Sequence, residues 1–142
     1  MIDKNELRIG NWVRRVHAPY GNMQGSSDEQ IKTGIDIEYL TLPSSYCEGI
    51  HLTEEWLKRF GFSKAIGFYI ECPKIGYHNY LELGINTNTS ELQWYCYYRN
   101  KKNSPEKDDF VLLRKNLKYV HELMNLFYAL TGTELTARDN NK

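Results

Sequence analysis

Between Asn116 and Thr131 the apolar residues recur with the period of an α-helix. Stepping about 100° per residue from Val120 brings Leu117, Leu123, Met124, Phe127 and Leu130 within about 80° of it. Tyr119, Leu126 and Tyr128 widen the stripe, and Lys118, Glu122, Asn125 and Ala129 lie opposite. Asn116 is read as the N-cap, and Gly132 stops the helix. A helix with one apolar face must bury that face. Each side chain of the stripe contributes roughly 1.5–3 kcal/mol before entropy is charged. The chain is therefore expected to close on this element.

Length suits one domain. The 142 residues, 41% hydrophobic and 25% charged, can bury a core unaided. A single domain over 1–136 with a flexible tail at 137–142 is expected. No apolar stretch approaches the roughly 18 residues of a membrane span. Met1–Glu6 is polar and acidic, unlike a secretion leader. Cys47, Cys72 and Cys96 form no close pair and read as reduced, buried thiols. A cytoplasmic protein is the expectation. The 18 basic residues balance 18 acidic ones, which argues against strong non-specific nucleic-acid binding. Tyrosine is abundant, at 11 residues, and suits half-buried strands and binding surfaces.

Strands fill most of the rest. Trp12 to His17 is β-prone, whereas Pro19 to Glu29 is rich in turn formers and reads as loop. Ile35 to Leu42 begins by alternating and reads as a second strand that Pro43 ends. Leu52 to Gly61 is punctuated as a short helix. Thr53 caps it, Glu54 and Glu55 complement its dipole at one end and Lys58 and Arg59 at the other, and Gly61 ends it. Trp56, Leu57 and Phe60 form its buried edge. Further strands are expected at Gly67 to Cys72, Tyr77 to Ile85, Leu92 to Arg99 and Phe110 to Arg114, with the second and third paired. Helices do not alternate with strands as crossovers. The fold class is α+β: a mainly antiparallel sheet with one short middle helix and a C-terminal amphipathic helix.

Chemistry is sparsely marked. Cys47 and His51 have a metal-like spacing but no second ligand pair, and read as an inward-packed thiol and a surface imidazole. His121 and Asn125, one turn apart, form either a polar pair facing a cleft or a contact at the rim of the core. On the strand Leu92 to Arg99, alternation puts Leu92, Trp94, Cys96 and Tyr98 on a core face. Gln93, Tyr95, Tyr97 and Arg99 fall on the other, next to Lys101 and Lys102. Aromatics with cations can stack the bases of a single strand. No phosphate loop, nucleophile elbow or zinc-protease signature is present in the sequence. No catalytic residue, cofactor or metal is assigned.

Three blocks in order resemble a family. They are Glu6-Leu7-Arg8-Ile9-Gly10-Asn11-Trp12-Val13, then Leu52 to Phe62, then Lys118 to Leu135. The set is similar to an uncharacterised family of small proteins of Bacteroides-type bacteria, their prophages and phages. The family often has Gln where Glu122 and Met124 stand here. The resemblance implies a mobile-element accessory protein in the host cytosol and no established activity. Arg8 to Val13 also looks like the first strand of SH3-like barrels, an analogy of fold alone. The resulting expectation is a non-enzymatic module that binds a host or phage protein. The alternatives are a single-stranded nucleic-acid binder using Tyr95, Tyr97, Arg99, Lys101 and Lys102, and a small enzyme with a site near His121. Binding residues are sought among these and Asn125; oligomeric state is not readable.

Overall fold

Local capping and long-range pairing divide the work of folding this chain. The computed structural model describes residues 2, 4–17, 25–40, 46–64, 67–71, 79–85, 93–100 and 109–138. Among these residues the structure is α+β, with two antiparallel sheets and few helices. The chain divides into two compact units, Met1–His51 with Tyr119–Leu126, and Leu52–Lys118 with Phe127–Lys142.

In the first unit a 3₁₀ turn, Lys4–Glu6, leads to strand β1, Trp12–His17. Strand β1 is central in a sheet of order β2-β1-β3, with β2 at Gly25–Gln30 and β3 at Tyr46–Glu48. Strand β2 corrects the reading of Pro19 to Glu29 as loop. Its sequence, Gly-Ser-Ser-Asp-Glu-Gln, has no apolar alternation to betray it. Pairing with β1 imposes the extended state, from Trp12 opposite Gln30 to His17 opposite Gly25. The Arg14 guanidinium reaches the Asp28 carboxylate at 2.9 Å across that pair, which raises its pKa. The core here is Leu7, Val13, Ile31 and Cys47, with Ile2 and Ile37 packed against it.

Ile35 to Leu42 was expected as a strand, and the structure corrects this: Gly34–Leu40 is helix α1. The alternation of Ile35 and Ile37 is incidental, since Ile35 is 73% exposed. What decides is a reciprocal cap. The Thr33 hydroxyl accepts from the Asp36 backbone N–H, and the Asp36 carboxylate accepts from Lys32 N–H and Thr33 N–H, both at 2.9 Å.

In the second unit helix α2, Glu54–Arg59, has the expected punctuation. The Thr53 side chain accepts from Trp56 N–H, and Gly61 has φ +90°. Phe62 N–H donates to Leu57 C=O and Gly61 N–H to Lys58 C=O, a Schellman ending with both apolar side chains buried. Trp56, Leu57 and Phe60 are buried as expected. A five-stranded sheet follows in the order β4-β5-β6-β7-β8. Its strands are Ser63–Lys64, Phe68–Glu71, Asn79–Ile85, Trp94–Asn100 and Asp109–Leu117. β6 and β7 pair antiparallel, as expected. Trp94 is the centre of this core: it stands edge-on to Phe68, and its indole N–H donates to Leu52 C=O at 2.8 Å.

Strand β8 runs to Leu117, beyond the expected Arg114, and this corrects the assignment of Asn116 as a helix cap. Asn116 is an exposed strand residue. Leu117 fits the helical stripe in projection but enters the core as a strand residue opposite Trp94. Helix α3 is Val120–Thr131. Tyr119 stands at its cap position, where the Glu122 carboxylate accepts the Tyr119 N–H at 3.3 Å. Val120, Leu123, Met124 and Phe127 are buried, and Gly132 ends the helix with φ +69°.

The Asp36 carboxylate is held below its ordinary pKa by the N–H groups of Lys32 and Thr33. Its support of α1 is therefore complete above the ordinary carboxylate range and is lost as pH falls through the lowered value. Cα chemical shifts of Gly34–Leu40 should lose helical character over that acid window. Asp36→Asn should reduce helical character already at neutral pH, and unchanged shifts in the variant would refute the cap.

Candidate functional site

The site begins with a turn. Arg8-Ile9-Gly10-Asn11 is closed by Asn11 N–H donating to Arg8 C=O at 3.1 Å. Gly10 has φ +99°, which a side chain at the third position of such a turn resists. The Asn11 carboxamide oxygen accepts the Arg8 N–H at 2.7 Å, and Asn11 is 0% exposed. Gly10 N–H donates to Ile31 C=O and Ile31 N–H to Asn11 C=O, so the turn extends the β1–β2 ladder.

Asn125, on the helix, completes the turn. Its carboxamide oxygen accepts from Arg8 Nε at 2.9 Å and from Asn11 Nδ2 at 3.0 Å. Its Nδ2 donates to Glu6 C=O at 2.7 Å. Arg8 Nη2 adds a bond to Met124 C=O at 3.2 Å. Asn125 is thus committed to holding Glu6–Asn11 against α3.

His121 lies one turn earlier and is not at the rim of the core: it is 1% exposed. Its Nε2 lies 3.3 Å from Glu6 Oε2. Its ring stacks on Tyr119, with centroids 5.7 Å apart and planes 10° apart. His51 tilts against the same tyrosine at 5.3 Å. A Cβ added at Gly49 would stand 2.6 Å from Tyr119 Cγ and Cδ1, so the ring lies where only glycine leaves room. An antiparallel bridge pairs His51 with Tyr119, and Val120 N–H donates to Ile50 C=O. Together Ile2, Glu6, Glu48, Gly49, His51, Tyr119, His121 and Glu122 line a cleft of about 450 Å³.

The other proposed residues lie in the second unit. Tyr95 and Tyr97 are half-buried on β7, with ring centroids 6.3 Å apart and planes 38° apart. Arg99 Nη1 lies 3.3 Å from Glu82 Oε1, so a carboxylate accompanies the aromatic strand face. Trp94 and Cys96 are buried as expected of the opposite face, whereas Tyr98 is only half-buried. Lys101 and Lys102 lie outside the described residues, as do Leu92 and Cys72. Cys47 is buried, which pushes its thiol pKa up, and His51 is exposed. Among the described residues no group of three or more His, Cys, Asp or Glu could hold a metal ion. Among them, too, no helix is long and apolar enough to cross a membrane.

The sequence reading marked His121 and Asn125 but missed Glu6, Arg8, Asn11 and Glu48. The Gly10-Asn11 dipeptide signals a turn, and that was the available clue. Comparison with protein-family models, with curated proteins and with solved structures finds no match.

Asn125→Leu keeps the volume and removes every bond. It should destabilise the protein by about 2–3 kcal/mol, because the Asn11 amide is then buried without its partner. Asn125→Asp keeps the acceptors and should lose less than about 1.5 kcal/mol. Urea denaturation measures both. A change within about 0.5 kcal/mol for the leucine variant would deny the network its structural role.

Proposed function

We propose that the protein is a non-enzymatic protein-binding module that takes an extended segment of its partner along the edge of β8. The observation that supports this most is the edge itself. β8 is nine residues long and ends the five-stranded sheet, and no other described strand pairs with its outer side. Val111 is 57% and Leu112 37% exposed there. An open edge offers main-chain donors and acceptors to an incoming strand, while alternate side chains supply selectivity. The register with β7 is regular from Asp109 to Leu112 and shifts beyond it, where Arg114 and Lys115 are exposed. Bulges and basic residues discourage indiscriminate edge pairing. They leave a short open stretch suited to one partner. In the setting that the resemblance implies, that partner is a host or phage protein in the cytosol.

Two features favour binding over catalysis. Cys47 and Cys96 are buried, away from any substrate. The His121 ring is enclosed and engaged with Glu6, and among the described residues lining the cleft there is no serine, threonine or cysteine to serve as a nucleophile.

A photo-crosslinking residue at Leu112 should capture a defined partner in host cells, and one at exposed Ser63 should not. Val111→Lys with Leu112→Lys should weaken that partner's binding at least about tenfold, or 1.4 kcal/mol, with melting temperature unchanged. Equal crosslinking at both positions would overturn the proposal. So would turnover in a hydrolase or nuclease screen that disappears on His121→Gln. A second reading, single-stranded nucleic-acid binding, has the neighbouring Tyr95 and Tyr97 in its favour. It requires oligothymidine binding that falls steeply with salt and is lost in Tyr95→Ala/Tyr97→Ala. Absent or salt-independent binding removes it.

A further inference from the structure

We infer that the segment taken along β8 carries acidic residues ahead of an apolar pair and runs antiparallel to β8. The inference rests on the edge reading above and names the chemistry of that partner.

Both faces of the sheet reach the edge with apolar side chains, at consecutive positions. Val111 stands opposite Tyr98, in a row that continues through Leu81 to Ile70. Leu112 stands opposite Tyr97, in a row that continues through Glu82 to Tyr69. Successive strand residues point to opposite faces, so one row lies on each face. Each row therefore ends at an exposed apolar residue. A strand laid alongside adds one residue to each row, and both additions gain most by being apolar. The partner thus needs two consecutive apolar residues, which a strictly alternating strand does not offer.

Beyond Leu113 the chemistry changes. From Val111 to Leu117 the strand carries two bases, Arg114 and Lys115, and no acid. Both bases are exposed. The Glu82 carboxylate lies two strands in from the edge and faces Arg99 at 3.3 Å. Opposite charges across a strand pair stabilise it, and like charges destabilise it. Acids are therefore favoured opposite Arg114 and Lys115, and bases are rejected there. Direction follows from the sheet, whose pairs are all antiparallel, the stronger arrangement per residue. In that direction the residues opposite Lys115 and Arg114 precede those opposite Leu112 and Val111. The acids lie N-terminal to the apolar pair, and Leu113, at the register shift, sets the gap between them.

The ¹⁵N-labelled full chain is titrated with acetyl-Ser-Glu-Glu-Thr-Val-Ile-Thr-amide. Its controls are the same peptide with Gln-Gln or Lys-Lys in place of Glu-Glu, and the reversed sequence. Saturable shifts of the backbone amides from Val111 to Lys115 are expected with the acidic peptide. The Gln-Gln and reversed peptides should bind at least about threefold more weakly, and the Lys-Lys peptide at least about tenfold. Lys115→Glu should erase or invert the preference for acid over base. Equal binding of the acidic and Lys-Lys peptides at β8 overturns the inference while upholding the edge itself. Equal binding of the reversed peptide overturns the direction. If the acidic peptide leaves β8 unshifted, the inference fails, and crosslinking at Leu112 decides the edge reading separately. Displacement of the peptide by oligothymidine, or by excess unlabelled protein, gives the edge to a nucleic-acid strand or to a second copy, and also overturns it.

Discussion

One carboxamide organises the N-terminal unit. Asn125 uses its oxygen twice and its nitrogen once to grip Glu6, Arg8 and Asn11. An amide suits this position because the site needs acceptor and donor in one planar group. Asn11 in turn can be buried only because all its polar atoms are occupied, by Arg8 N–H, Arg8 C=O, Ile31 N–H and Asn125. The turn they form sets where β1 begins, and the Ile31 bonds carry that setting into β2. The first sheet thus inherits its frame from a hydrogen-bond network, while the Leu7, Val13, Ile31 and Cys47 cluster supplies the apolar burial.

What could be read from the sequence follows how local each cause is. Helix α2 was legible in full, because Thr53, the charged ends and Gly61 all act within one segment. The pairing of β6 with β7 was legible because alternation and a turn-rich gap announce it. β2 was not, since its polar residues gain their conformation from β1. Helix α1 was misread because Ile35 and Ile37 alternate, and because an aspartate rather than a glutamate completes the cap with Thr33. The start of α3 was misplaced for a related reason. Leu117 serves the core from a strand, and its position nevertheless matches a helical projection.

The site divides the same way. His121 and Asn125 stood out as polar residues beside an apolar stripe, and both have structural or cleft-lining roles. Their partners are 115 and 114 residues away in the chain, where no periodicity could reveal them. Tyr119 was counted with the stripe, yet its ring belongs to the cleft with His51 and His121. On β7 the alternation of Tyr95, Tyr97 and Arg99 was legible, while the carboxylate of Glu82 came from the neighbouring strand.

The long reach of Asn125 has a consequence for how the protein is made. A ribosome adding about 5–20 residues per second needs on the order of ten seconds to pass from Asn11 to Asn125. Throughout that interval the first sheet has no helix to complete its turn. The buried amide of Asn11 can settle only after Asn125, 114 residues later, has been made. The Asn11 turn is made well before the residue that secures it, so that interval is the stage at which a chaperone or protease would meet it exposed.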